Sequence, residues 1–268
     1  MTTPTNPEGI AIETRDGVLR ITLDRPSCKN SLDPRAVRRI VGTLEAAATD
    51  DALRVVLLTG CGADFCSGAD WVAANAAGTR PRTGSLQRRT ALQAHRLIAL
   101  LTELQLPVVC AVRGWAAGLG FQLALAADFT IAAESACFWQ PFLARGFSAD
   151  SGSTWLLPRL VGVARAKELL LLGRKLSGAE AAAWGIIHRA VPDAELESAT
   201  AALVEQLAGS ATVALGLTKH CIQRALETGL VAAMQNESLA LEVSSRTADF
   251  KEGLLAFKER RPARFTGQ

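Results

Sequence analysis

The stretch Val108-Val109-Cys110-Ala111-Val112-Arg113-Gly114-Trp115-Ala116-Ala117-Gly118-Leu119-Gly120-Phe121-Gln122-Leu123-Ala124-Leu125-Ala126-Ala127-Asp128 decides the fold class. Val108 to Val112 is a short, continuous apolar run, the pattern of a strand covered on both faces. A glycine-rich turn follows from Gly114 to Gly120, and Phe121 to Ala127 reads as a buried helix. Asp128 to Ala133 then reads as another strand. A repeating unit of strand, tight turn and helix predicts an α/β protein.

The same logic extends upstream. Gly84 to Leu106 has helical periodicity through Leu86, Leu92, Leu97, Ile98, Leu101 and Leu104, and Pro107 ends it. Arg54 to Thr59 is a second strand of the two-face-covered kind, followed by a loop rich in Gly and Asp. Asp33-Pro34 supplies a cap and a first-turn proline for a helix whose buried face is Val37, Ile40, Val41 and Leu44. Gly9 to Thr14 and Val18 to Leu23 form a predicted hairpin around Asp16-Gly17. Downstream of Gly146 the chain becomes helical and Ala/Leu-rich, interrupted at Gly173, Gly178 and Pro192. Such helices pack closely, within the chain or between subunits.

Composition narrows the function classes. With 268 residues, 49% of them hydrophobic and 21% charged, the chain suits one large folded domain or a domain with a small appendage. A net charge of +3 without a basic stripe argues against nucleic acid as a partner. The apolar runs Val108 to Val112 and Leu119 to Ala127 stop far short of the roughly 18 residues that span a bilayer, so no membrane role is expected. The polar start MTTPTNPEG does not read as a signal peptide. Cys28, Cys61, Cys66, Cys110, Cys137 and Cys221 show no CxxC pair, which fits reduced thiols in a cytoplasmic protein. No metal-ligand cluster or P-loop is visible.

Two glycine-rich turns each follow a buried strand, Gly60 to Asp70 and Arg113 to Gly120. Each can expose backbone NH groups, and the second opens directly into a helix, whose N-terminal dipole favours an oxyanion. The alternative is a pair of tight turns that only lets strands and helices pack.

Four motifs distinguish the two. Leu23-Asp24-Arg25-Pro26 with Lys29-Asn30-Ser31-Leu32-Asp33, Phe65-Cys66-Ser67-Gly68-Ala69-Asp70, Ala117-Gly118-Leu119-Gly120, and Glu252-Gly253 with Ala256-Phe257-Lys258-Glu259-Arg260-Arg261-Pro262 occur in order along nearly the whole chain. Together they resemble the crotonase superfamily of enoyl-CoA hydratases and isomerases. The resemblance implies a crotonase-like ββα spiral over residues 1–200, a C-terminal helical trimerisation region over 201–268, and a homotrimer or a hexamer of two trimers. It implies an acyl-CoA thioester as substrate, with coenzyme A as part of that substrate and no separate cofactor. It further implies that the NH groups of Ala69 and Leu119 hold the thioester oxygen, two fixed donors that stabilise charge as it develops.

Departures from the family pattern bear on the reaction. Gln122 and Phe142 stand where hydratases of the family carry two glutamates, and neither side chain titrates. Asp150, in Ala149-Asp150-Ser151-Gly152-Ser153-Thr154-Trp155, is similar to the aspartate with which the family's double-bond isomerases shuttle a proton. Asp150 also suits a plain helix N-cap. The same position holds the nucleophilic aspartate of 4-chlorobenzoyl-CoA dehalogenases, and His95 matches their histidine, so nucleophilic catalysis through Asp150 and His95 stays open. Hydration by a non-standard site and a non-catalytic scaffold are further alternatives. For substrate and CoA binding, the resemblance points to Lys29, Ser31, Ser67, Gly68, Asp70, Trp71, Gly118, Gln122, Phe142 and Arg260.

Overall fold

A computed structural model describes residues 9–70 and 82–268. A hairpin opens the chain. Its strands β1 (Ile10–Arg15) and β2 (Val18–Leu23) pair from Ile10↔Leu23 to Arg15↔Val18. Asp16 and Gly17 both adopt positive φ, as a two-residue turn between twisted strands requires. Beyond it, β3 (Val55–Gly60), β4 (Val108–Val112), β6 (Phe129–Ala133) and β9 (Arg189–Val191) add in parallel, giving a six-stranded sheet in the order β1-β2-β3-β4-β6-β9. A second sheet, β5-β7-β8, is built from Trp115–Ala117, Cys137–Trp139 and Leu176–Ser177.

The continuous apolar runs are buried on both faces. Val56 and Leu58 of β3, with Cys110 and Val112 of β4, join the main core. Their neighbours Val55, Leu57, Val109 and Ala111 form a second cluster against Val204 and Leu207 of helix α6 (Leu196–Ala208). That helix crosses residue 200 and buries Leu196, Thr200, Val204 and Leu207. Residues 200 and 201, where the spiral core is expected to give way to the helical region, lie inside this one helix.

Helix α1 (Pro34–Ala47) has Asp33 as N-cap, accepting from the Arg35 and Ala36 amides at 2.8 Å, and buries Val37, Ile40 and Leu44. Helix α2 runs as Ser85–Thr90, a π-helical turn Ala91–His95, and Arg96–Glu103. Only its second half follows the predicted apolar face: Leu97 and Leu101 are fully buried, whereas Leu86 and Leu92 are 55% and 77% exposed. The π turn shifts the helix face by a residue, and the first half lies along a cavity rather than on the sheet. Helix α3 (Leu119–Ala126) is buried throughout. Further on lie α4 (Ser153–Leu171), α5 (Gly178–Ala183), α7 (Thr212–Ala225), α8 (Leu230–Ser244) and α9 (Ala248–Glu259).

A buried cation fastens α7 to the core. Lys219 donates to the Leu101 and Leu106 carbonyls and to Asp128 Oδ2 at 2.7 Å, and Asp128 also accepts from the Val108 amide. Outside that point the C-terminal helices carry exposed apolar residues, among them Leu230, Val231, Leu239 and Leu241. Among the described residues, no single helix is long and apolar enough to cross a membrane.

Candidate active site

The two glycine loops are stitched to each other by backbone bonds. The Cys66 amide donates to Trp115 O and the Ala117 amide to Cys66 O, at 2.8 and 2.9 Å. On its other edge the first loop bridges Leu32: the Leu32 amide donates to Gly68 O and the Asp70 amide to Leu32 O. In a parallel bridge of this kind, Ala69 turns its own NH away from the partner strand. Gly68, at φ +99°, makes the approach possible, because a Cβ there would stand 2.7 Å from Ala117 O and 3.4 Å from Leu119 N.

The second loop frees the other amide. Gly118, at φ 52° and ψ −124°, reverses the chain so that Leu119 begins α3. The Gly118 amide is taken by Trp139 O at 3.0 Å, and Gly118 O accepts from Phe121 and Gln122. The Leu119 NH, in the first turn of α3, has no helical acceptor. Among the described residues neither the Ala69 nor the Leu119 amide has a hydrogen-bond acceptor, and both residues line one cavity of about 140 Å³. Two free donors at a helix start can hold an oxygen as it gains negative charge.

Asp150 lines the same cavity. Ser151 and Gly152 follow it with φ of 49° and 82°, and two successive left-handed residues turn the chain sharply into α4. Ser151 is not a glycine, so its backbone is strained at this site. The N-cap of α4 is Gly152, without a side-chain cap bond, and it is the Asp150 carbonyl that accepts from the Ser153 amide and hydroxyl. The carboxylate is therefore not a cap. Burial pushes its pKa up, while the Ser151 hydroxyl and the charge of His95 pull it partly back.

Among the described residues three carboxylates line the cavity, and two are committed. Asp33 caps α1, and Asp70 pairs with Arg25 at 3.3 Å. Arg25 also donates to Ser31 O, while the Ser31 hydroxyl lies 3.4 Å from Asp70 Oδ2. The motif containing Arg25 was visible in the sequence, but its role of holding Asp70 was not.

The remaining expected site residues divide. Ser67, Gly68, Gly118 and Phe142 line the cavity, with the Phe142 ring edge-on to Phe147 at 5.6 Å. Gln122 does not: it is fully buried and donates through Nε2 to Gln140 Oε1 at 3.1 Å, leaving Gln122 Oε1 and Gln140 Nε2 without partners among the described residues. The expected ligand contact of Gln122 is thus replaced by a core amide pair. His95 ends the π turn and faces a neighbouring groove with Trp155 and His220, so it reaches Asp150 electrostatically and is not brought into the cavity. Lys29 is exposed, 3.9 Å from Asp64 and over the Trp115 ring, and Arg260 caps the C-terminus of α9. Neither lines the cavity. Trp71 lies outside the described residues. Periodicity gave no sign of Arg89, Thr90, Gln93 and Arg145, which do line it. Among the described residues, no three His, Cys, Asp or Glu side chains group as metal ligands.

All six cysteines are free thiols. Cys66 accepts from the Gly68 amide through Sγ, and burial pushes its thiol up to about 12, so it supports the first loop and is no nucleophile.

An α/β fold that sets two free loop amides and one uncommitted carboxylate around a single cavity defines a class of enzyme that stabilises an oxyanion next to an acid or base. The chain belongs to the enoyl-CoA hydratase/isomerase family of the crotonase superfamily, whose members act on acyl-CoA thioesters: the family's model, described as "Enoyl-CoA hydratase/isomerase", matches residues 13–268. It is 38% identical to the 1,2-epoxyphenylacetyl-CoA isomerase of Escherichia coli K12, over 97% of this chain and 99% of that protein. It is 34% identical to the mitochondrial enoyl-CoA hydratase domain-containing protein 2 of Bos taurus, over 94% of this chain and 85% of that one. The crystal structure of an enoyl-CoA hydratase from Bacillus anthracis superposes with a TM-score of 0.90 at 33% identity, covering 97% of this chain and all of that one.

Proposed function

We propose that this enzyme moves a double bond along the acyl chain of a CoA thioester, with Asp150 as the single proton carrier. The thioester oxygen accepts hydrogen bonds from the Ala69 and Leu119 amides. Asp150 removes a proton made acidic by the thioester or by a conjugated alkene, negative charge spreads onto that oxygen, and the same carboxyl returns the proton at another carbon. One observation carries this reading: of the three carboxylates lining the cavity, Asp150 is the one neither capping a helix nor paired with an arginine. A raised pKa suits a group that must both take and give a proton. Hydration by two carboxylates finds no second partner here, since Phe142 is apolar and Gln122 is locked to Gln140. The isomerase name of the Escherichia coli relative supports isomerisation in general, although the substrate in that name is an epoxide and not an alkene.

The test is to incubate 2-enoyl, 3-enoyl and dienoyl thioesters in ¹⁸O-labelled water and to follow the products by mass spectrometry. The expected result is alkene migration without ¹⁸O in the acyl chain. A labelled 3-hydroxyacyl product as the main outcome assigns a hydratase instead.

We also infer self-association through the C-terminal helices. Exposed Leu230, Val231, Leu239 and Leu241, with Leu254 and Phe257 of α9, support a partner of the same chain. Sedimentation equilibrium is expected to give a trimer or hexamer, and a monomer contradicts it.

A further inference from the structure

Two arginines on separate elements line the cavity and, among the described residues, have no acidic partner. Arg89 projects from the first segment of α2, and Arg145 ends the 3₁₀ turn Leu143–Arg145 that follows Phe142. The Arg89 guanidinium bonds the Ser85 hydroxyl of its own helix. The Arg145 backbone amide donates to Phe142 O. Among the described residues neither guanidinium is paired with a carboxylate. Thr90 and Gln93 extend this polar strip along α2. Around it, Leu86, Phe142 and Phe147 are apolar and strengthen the field of the two charges within the cleft.

We propose that Arg89 and Arg145 receive an anionic oxygen group of the ligand, and that this group is a terminal carboxylate on the acyl chain. The assignment rests on the reading that the thioester oxygen sits on the Ala69 and Leu119 amides. With the oxygen placed there, the reacting carbons lie at Asp150, and Arg145 belongs to the same chain segment, five residues before it. Arg89 and Arg145 line the same cavity as Asp150, and the acyl portion is proposed to lie beside them. Guanidinium is the group suited to this work, since its planar fork matches a carboxylate with two parallel hydrogen bonds. The phosphates of coenzyme A offer similar chemistry from the other end of the ligand, and the experiment separates the two sources.

The experiment measures calorimetric dissociation constants for matched saturated thioesters: glutaryl against pentanoyl, adipyl against hexanoyl and suberyl against octanoyl. Each is carried once on coenzyme A and once on pantetheine, which lacks the phosphates. Because saturated ligands need no turnover, the outcome is independent of whether the isomerase reading survives the ¹⁸O assay. At least one carboxylate-ended acyl group is expected to bind the wild-type protein roughly tenfold or more tightly than its methyl-ended partner on both carriers. The double variant Arg89→Gln/Arg145→Gln is expected to reduce that ratio to near one. Both residues are exposed, so an unchanged melting curve checks that the fold is intact. Absence of a carboxylate preference across the whole series overturns the proposal. So does a loss in the double variant that strikes all CoA thioesters alike and spares pantetheine thioesters, which assigns the arginines to a phosphate of coenzyme A.

Discussion

The paired glycine loops and the Asp150 loop serve one cavity but are built in opposite ways. Gly68, Ala69, Gly118 and Leu119 work through backbone, fixed by interstrand hydrogen bonds on both edges and by contacts too close for a side chain at Gly68. Asp150 is a single side chain on a strained turn, half-buried and, among the described residues, without an arginine or lysine partner. A backbone donor pair is indifferent to which residue supplies it and suits any reaction that passes through a thioester enolate. The carboxylate is set by one codon and, in the proposed reaction, selects what the enolate becomes. General and specific parts of the chemistry are thus separable by mutation.

The largest effect is expected on the specific side. Asp150→Asn keeps the shape of the loop and removes the proton carrier, so turnover should fall by about 10²–10⁴-fold with thioester binding retained. The same substitution should raise the melting temperature at neutral pH. A carboxyl whose folded pKa lies above its unfolded value stabilises the fold below the unfolded pKa, and that contribution is lost as pH rises through the folded pKa. The gain from Asn should therefore fade in acid. A variant that loses activity and stability together at neutral pH breaks the comparison.

Next in size is Gly68→Ala. Its Cβ would lie 2.7 Å from Ala117 O at a φ that L side chains avoid, so the first loop must withdraw from Leu119. Loss of one donor costs about 10²–10³-fold in kcat. The pH dependence should be unchanged, because Asp150 is untouched.

A control outside both loops is Lys219→Met, which leaves Asp128 buried without its cation. The expected loss is about 3–5 kcal/mol of stability in chemical denaturation, with activity per folded molecule preserved.

Smaller effects sharpen the account of Asp150. As the base it must be ionised, so the rate should decline as pH falls through a midpoint raised above that of an ordinary aspartate. His95→Gln removes a charge that holds that midpoint down, and should move the acid limb to higher pH with less than about tenfold change in the plateau. A loss approaching that of Asp150→Asn would instead restore a nucleophilic Asp150–His95 pair.

Much of this architecture can be read from the chain, for reasons that differ by region. Strands β3 and β4 announce themselves because burial on both faces demands an unbroken apolar run. The amide pair is signalled by its glycines, which take positive φ without strain at Gly68 and Gly118 and at Gly68 also permit a close approach to Ala117 O. Short strands such as Trp115–Ala117, Cys137–Trp139 and Leu176–Ser177 carry no period to detect, so the second sheet stays hidden. Leu86 and Leu92 mislead because the π turn breaks the helical register ahead of the buried half of α2. The Arg25–Asp70 and Gln122–Gln140 pairs join residues far apart in sequence, and polar partnership across such distances leaves no local pattern.

The central claim is that Asp150 moves the proton while the two amides hold the enolate. Exchange of the C2 proton of an enoyl thioester in deuterated water, followed by NMR together with alkene migration, tests it most directly. The wild-type enzyme should exchange and migrate, Asp150→Asn should lose both, and Gly68→Ala should slow both with the carboxylate intact. Exchange and migration at the wild-type rate in Asp150→Asn would contradict the account.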